Sequence, residues 1–196
     1  PYFWIVFSPA RPYIFGSTKY QCKNKNSKYV PPPTKRTEVD FSIAAIAAGN
    51  NLIEFAESEK AAVGVEEILL NAAAAASNVK ITIEKLAEKP ASVASAPSGE
   101  IYTYLQFNKT ILKDEDVKEA KIKFNVLKSW VLSKGADPEK VMLNRFINKW
   151  EALPTKYLRQ NSTYYYYEAS TPGFSVFAIT AEKKEIPAIE QQKENI

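Results

Sequence analysis

The chain has 196 residues, with 45% hydrophobic content, 26 basic residues against 22 acidic ones and a net charge of +4. It holds no histidine and one cysteine, Cys22, which removes the commonest general base and zinc ligand and leaves no means of forming an intrachain disulfide, a Cys-pair metal site or a Cys–His dyad. Only carboxylate, Lys, Tyr or Ser chemistry survives, unmarked by any motif, so the expectation is a non-enzyme without cofactor or bound metal.

Residues 1–38 carry Pro1, Pro9, Pro12 and the triplet Pro31-Pro32-Pro33. Proline fixes φ and removes a backbone donor, so this stretch reads as an extended segment preceding the domain. Within it, Tyr2, Phe3, Trp4, Ile5, Val6 and Phe7 form a run of high β-propensity suited to pairing with another chain. The opening apolar run is broken by Pro9, Arg11 and Pro12. It is far shorter than the ~20 residues that span a bilayer, and no other run approaches that length. It also lacks the layout of a signal peptide. The chain begins with Pro, which reads as a fragment or a processed form. Lys23, Lys25, Lys28, Lys35 and Arg36 make the region locally basic, but no nucleic-acid motif accompanies them, so they read as solvated charge.

Between Val39 and Ser77 the alanine runs favour helix on propensity alone. Gly49 and Gly64 interrupt them, and Val63, Val65, Ile68 and Leu70 can line a strand only across a bulge. Asn78 to Leu86 alternates Val79, Ile81 and Ile83 with Lys80, Thr82 and Glu84, the period of a half-buried strand. Glu88 to Glu100 reads as a loop. Ile101 to Phe107 has large side chains on both faces, as expected of a strand that is central or covered on both sides. Asp114-Glu115-Asp116 marks a turn, and Ala120 to Val126 places Ile122, Phe124 and Val126 inward. Lys128 to Lys134 reads as one or two helical turns with Ser129 as cap and Gly135 as stop. Asp137-Pro138-Glu139 reads as a turn, after which Val141, Leu143, Arg145 and Ile147 resume strand spacing. Tyr164–Glu168 and Phe174–Ile179 close the pattern, joined by a Pro172-Gly173 type II turn with positive φ at Gly173.

Six segments, NVKITIEKL from Asn78, IYTYLQF from Ile101, AKIKFNVLKSWV from Ala120, DPEKVMLNRF from Asp137, WEALPT from Trp150 and TPGFSVFAI from Thr171, stand in the order found in PGF-pre-PGF domains. Over residues 46–180 the chain resembles this family of archaeal cell-surface and secreted, S-layer-associated proteins. The resemblance implies strands, not helices, before Asn78. It also implies an extracellular, cell-surface location. No catalytic or ligand residues come with it. The charged tail departs from the family's apolar C-terminal anchor, and the aromatic N-terminus is not a family feature.

The fold expected is all-β: an antiparallel, immunoglobulin-like β-sandwich of about eight strands over 39–180, with one short helix near 128–134. An extended segment (1–38) precedes it and a charged tail (181–196) follows. Asn108-Lys109-Thr110 and Asn161-Ser162-Thr163 match the glycosylation acceptor, making Asn108 and Asn161 the candidate sites. Four consecutive tyrosines put two rings on each face of a strand. Tyr165 and Tyr167 are taken as the outward pair, against the plainer reading of cross-strand packing. Trp130 and Trp150 read as core, with Arg145 as a cation–π partner. Asp114, Glu115 and Asp116 could hold a hard cation, but Lys113 and Lys118 favour a solvated turn.

The function expected is a non-catalytic structural or adhesion module of the archaeal cell envelope, a glycoprotein that self-assembles into a filament or surface layer. Strand addition by residues 2–7 would drive the assembly. The partners would be other copies of itself, other envelope proteins or glycans, with no nucleic acid. The alternative is a carbohydrate-binding module using exposed aromatics.

Overall fold

The computed structural model describes residues 37–184, which belong to the second of the two units into which the chain divides, Thr34–Ile196. The run Tyr2–Phe7 and the tail from residue 185 onward lie outside the described residues.

The order of elements is β1 (Thr37–Ile46), β2 (Gly49–Glu54), α1 (Glu57–Val63), β3 (Val65–Ala72), β4 (Ala76–Leu86), β5 (Glu100–Thr110), β6 (Val117–Leu127), α2 (Lys128–Ser133), β7 (Ala136–Phe146), β8 (Trp150–Ala152), β9 (Thr155–Gln160), β10 (Tyr164–Thr171) and β11 (Val176–Lys183). The strands form two antiparallel sheets. One has six strands in the order β1-β4-β5-β11-β7-β8, the other five in the order β2-β3-β6-β10-β9. This is an all-β sandwich of the expected class, with more strands than the sequence pattern separates.

Alternation sets the core. Ile122, Phe124 and Val126 of β6 are all fully buried, as are Ile81 and Ile83 of β4, Leu105 of β5 and Phe177 of β11. Phe107 stacks on Phe174 at 5.6 Å and meets Phe177 edge-on at 5.2 Å. In β3 the buried series runs Val65, Ile68, Leu70 and Ala72. It skips two residues after Val65, where pairing with β6 shifts register, so the bulge that the spacing demands is present.

The alanine runs are not helical. Ala44 and Ala45 lie in β1, and Ala73–Ala75 form the β3–β4 connection. Pairing with β4 and burial of Phe41 and Ile46 outweigh a propensity worth a few tenths of a kcal/mol per residue. The helix that does form, α1, has Ala56 at its N-cap, where the Glu59 carboxylate accepts from the Ala56 amide at 2.7 Å. It ends at Gly64 in the left-handed region, φ 76°. α2 falls where the sequence places a helix, but its N-cap is Leu127 and no side chain caps it.

β5 is covered on both faces. Its outward Tyr104 packs with Leu86 and Ala178 in a second small cluster, against which Ile101 and Trp150 rest. The β4–β5 connection lies over this face, with Val93 and Pro97 buried and the Trp150 indole donating to the Ser95 carbonyl at 2.6 Å. Trp150 therefore packs outside the sheet, not in the main core that the sequence suggests. Trp130 does pack against the main core, edge-on to Tyr102 at 5.0 Å.

Two turn assignments change. Asp137-Pro138-Glu139 lies within β7, where the pairing with β11 passes from Val141↔Ala181 to Ala136↔Lys183 and leaves the Pro in a bulge. Strand β8 covers only Asn144–Phe146 on the other side, so the missing Pro donor breaks no ladder bond there. Gly173 does not adopt a positive φ. A Cβ there would stand 3.0 Å from Arg145 Nη2, so the guanidinium packs against this turn. Arg145 thereby serves the β10–β11 connection, with its Nε donating to Ser175 Oγ at 3.3 Å, and is not a cation–π partner of either tryptophan. The final strand runs on to Lys183, so Ala181–Lys183 belong to the sheet and not to the tail.

Gly99 enters β5 at φ +88°, and a Cβ there would lie 2.9 Å from the Ala181 carbonyl oxygen. Gly49, at φ +95°, has open space around it. Gly99→Ala is expected to cost more than Gly49→Ala, about 3 against about 1 kcal/mol, because only the first adds a backbone clash to the φ penalty. Urea denaturation of the two variants measures the difference.

Candidate functional site

The β9–β10 hairpin carries the four consecutive tyrosines and one glycosylation sequon, and it borders two recesses. In β10 the residues at 165, 167, 169 and 171 face the core, and those at 164, 166, 168 and 170 face out. The inward set ends in the small residues Ala169 and Thr171, whereas the outward set continues into Glu168 and Ser170. That polar continuation is the signal that assigns the faces, and it reverses the assignment expected for both Tyr165 and Tyr167.

Tyr167 is 1% exposed and lies flat on Phe124 at 5.4 Å, with Tyr157 edge-on at 5.7 Å. Its hydroxyl donates to the Pro138 carbonyl at 2.8 Å, joining the two sheets through the β7 bulge. Burial, with Tyr157, Tyr165 and Asp137 nearby, pushes its phenol well above the usual tyrosine range. Tyr167 is therefore a core residue and not an interface residue.

Tyr165 is half-buried at the flank of the sandwich, packed against the core. Its ring lies 6.2 Å from that of Tyr157, tilted by 58°, and the Lys128 ammonium sits 5.0 Å from its centroid. With Tyr157, Gln160, Asp137, Pro138, Glu139 and Lys184 it lines a recess of about 440 Å³.

On the outer face Tyr166 is sandwiched by polar partners. The Arg159 guanidinium lies 3.7 Å above its centroid, and its hydroxyl accepts from Asn161 Nδ2 at 2.7 Å. Tyr164 meets it edge-on at 6.3 Å. The neighbouring recess, about 230 Å³, is bordered by side chains already matched to one another. Asn125 Nδ2 donates to Glu66 at 2.5 Å, and Lys123 pairs with Glu67 at 2.6 Å. The charges here complete each other.

Both sequon asparagines are exposed, in different settings. Asn108 lies in β5 and accepts only a 3.3 Å bond from Gln106. Asn161 closes the β9–β10 turn, its Oδ1 accepting from the amides of Thr163 at 2.8 Å and Tyr164 at 2.7 Å. The acidic triplet is dispersed. Asp114 pairs with Lys109 at 2.7 Å and Glu115 with Lys113 at 3.7 Å, while Asp116 accepts from the Lys113 amide at 3.0 Å. The hydrogen bond from Lys109 holds the Asp114 carboxyl below the usual range. Among the described residues no helix is long and apolar enough to cross a membrane.

No protein-family model, curated protein or solved structure matches the chain. The expectation of a PGF-pre-PGF domain therefore rests on the six sequence segments alone.

Two predictions follow from the hairpin. A phenol raised above its unfolded value favours folding fully below pH ~10, and that contribution is lost as pH climbs further. Tyr167→Phe should therefore lower stability by about 1 kcal/mol at neutral pH and make its decline above pH ~10 shallower than in the parent, as read from urea midpoints across the alkaline range. Asn161→Ala should cost about 1–2 kcal/mol by opening the turn, whereas Asn108→Ala stays within about 0.5 kcal/mol; thermal melts compare them.

Proposed function

We propose that the chain is a non-catalytic, extracellular structural module of an archaeal cell envelope that assembles with copies of itself by strand addition at β1. The observation that carries this reading is the edge. Among the described residues nothing pairs with the outer side of β1, a ten-residue strand without proline or lysine. Two of the other sheet edges are guarded in ways natural proteins use, since β8 has three residues and β9 carries Lys156 and Arg159, and β2, with six residues, offers a shorter edge than β1. The charges of β1 sit in its first half, Glu38 and Asp40, and Asp40 is already held by Lys80 at 2.7 Å. From Ser42 to Ile46 the edge is uncharged.

A segment of matching composition precedes it in the sequence. Tyr2–Phe7 has the β-propensity to add to an edge, and the residues between it and Thr37 supply far more reach than the ~33 Å length of β1. The six family-like segments support the envelope setting. The exposed sequons suit an extracytoplasmic surface.

Deleting residues 1–30 should leave a folded, soluble monomer where the full chain forms polymers visible by electron microscopy. Ala44→Lys, at an exposed position in the uncharged half of β1, should block growth with an unchanged melting temperature. If the truncated protein still polymerises, or the lysine variant forms filaments as readily as the parent, the assembly reading fails.

A further inference from the structure

We propose that the recess at the flank of the β9–β10 hairpin binds a neutral sugar ring. Its walls are aromatic: Tyr157 and Tyr165 stand 6.2 Å apart and are tilted by 58°. They are held in place from behind, because Tyr157 abuts the buried Tyr167 at 5.7 Å and Tyr165 is set between Val126 and Gln160 by its strand neighbours. A pyranose presents a patch of C–H bonds that packs on such rings and a rim of hydroxyls that both donate and accept.

The rim of the recess supplies the complementary groups. The Glu139 carboxylate, the Gln160 amide and the hydroxyls of Tyr157 and Tyr165 have no hydrogen-bond partner among the described residues. Asp137 is oriented within the β7 bulge, accepting from the Glu139 amide at 2.9 Å. Carboxylate and amide oxygens spaced along one rim accept from adjacent hydroxyls, and the Gln160 amide donates in return. Asp137, Glu139 and Lys184 all line the recess, so the charge is mixed and does not select a polyanion. The outer-face recess differs on this point, since its polar groups satisfy one another through Asn125–Glu66, Lys123–Glu67 and Asn161–Tyr166. Unpaired polar groups converging beside two rings distinguish the flank.

This site is independent of assembly through β1, and the two are tested apart. Saturation-transfer and chemical-shift NMR on the full chain, with the methyl glycosides of glucose, mannose, galactose and N-acetylglucosamine as probes, should find at least one bound with a Kd of about 1 mM or tighter. Shifts should centre on Tyr157, Gln160 and Tyr165. Glu139→Gln combined with Gln160→Ala, both at exposed positions, should weaken binding about tenfold or more with an unchanged melting temperature. Deleting residues 1–30 should leave affinity unaltered. Absence of binding to all four probes, binding that persists in the double variant, or shifts centred on Tyr164 and Tyr166 would each overturn the proposal.

Discussion

The structure depends on the burial of β6 against the facing sheet. Ile122, Phe124 and Val126 project from the middle of the five-stranded sheet and are fully enclosed, and across the gap stand Leu105, Phe177 and Ile179 of the six-stranded one. Removing a large apolar side chain from water contributes roughly 1.5–3 kcal/mol. A row of such residues on each inner face therefore outweighs local preferences along the outer strands. The alanine-rich stretches show this: they are strand and turn because β1 and β3 each have a neighbour to pair with and an apolar face to bury.

The same requirement explains the hairpin. Once Phe124 occupies the inner face of β6, register places Tyr167 opposite it, and the alternation of a strand then sends Tyr164 and Tyr166 outward. A buried phenol needs a hydrogen-bond acceptor, and the bulge at Pro138 provides one at 2.8 Å. The feature that reads as a turn in the sequence thus becomes a tie between the sheets. Its flank leaves Asp137 and Glu139 beside Tyr157 and Tyr165.

Among the described residues two surfaces stand out once the core is complete, and their chemistry differs. The edge of β1 offers backbone groups in a regular row, which suits another strand and little else. The flank recess offers rings and unpaired side-chain groups, which suits a small polar molecule with an apolar face. Under the proposed reading the two serve together, one to build a polymer and the other to hold a saccharide.

Much of the fold is legible in the residues. Strict alternation in β4, β5 and β6 gives strands and their inner faces, the Val65–Ile68 spacing demands a bulge, and Gly135 closes a short helix. These follow from local geometry, which the chain carries wherever it folds. The helix α1 escapes notice because its seven residues are too few to show a period, although Glu59 and Gly64 mark its ends. Strand β9 escapes because an exposed edge strand has no apolar face to display. In the candidate site the outward pair was misassigned: Tyr165 and Tyr167 both stand on the inward parity, the first half-buried and the second enclosed, and Glu168 on the opposite parity was the clue. That Trp150 packs outside the six-stranded sheet, that Arg145 props Gly173, and that Glu139, Gln160 and two tyrosines share one recess are matters of tertiary structure. They join residues from different strands, and such proximity is created only when the two sheets close on each other.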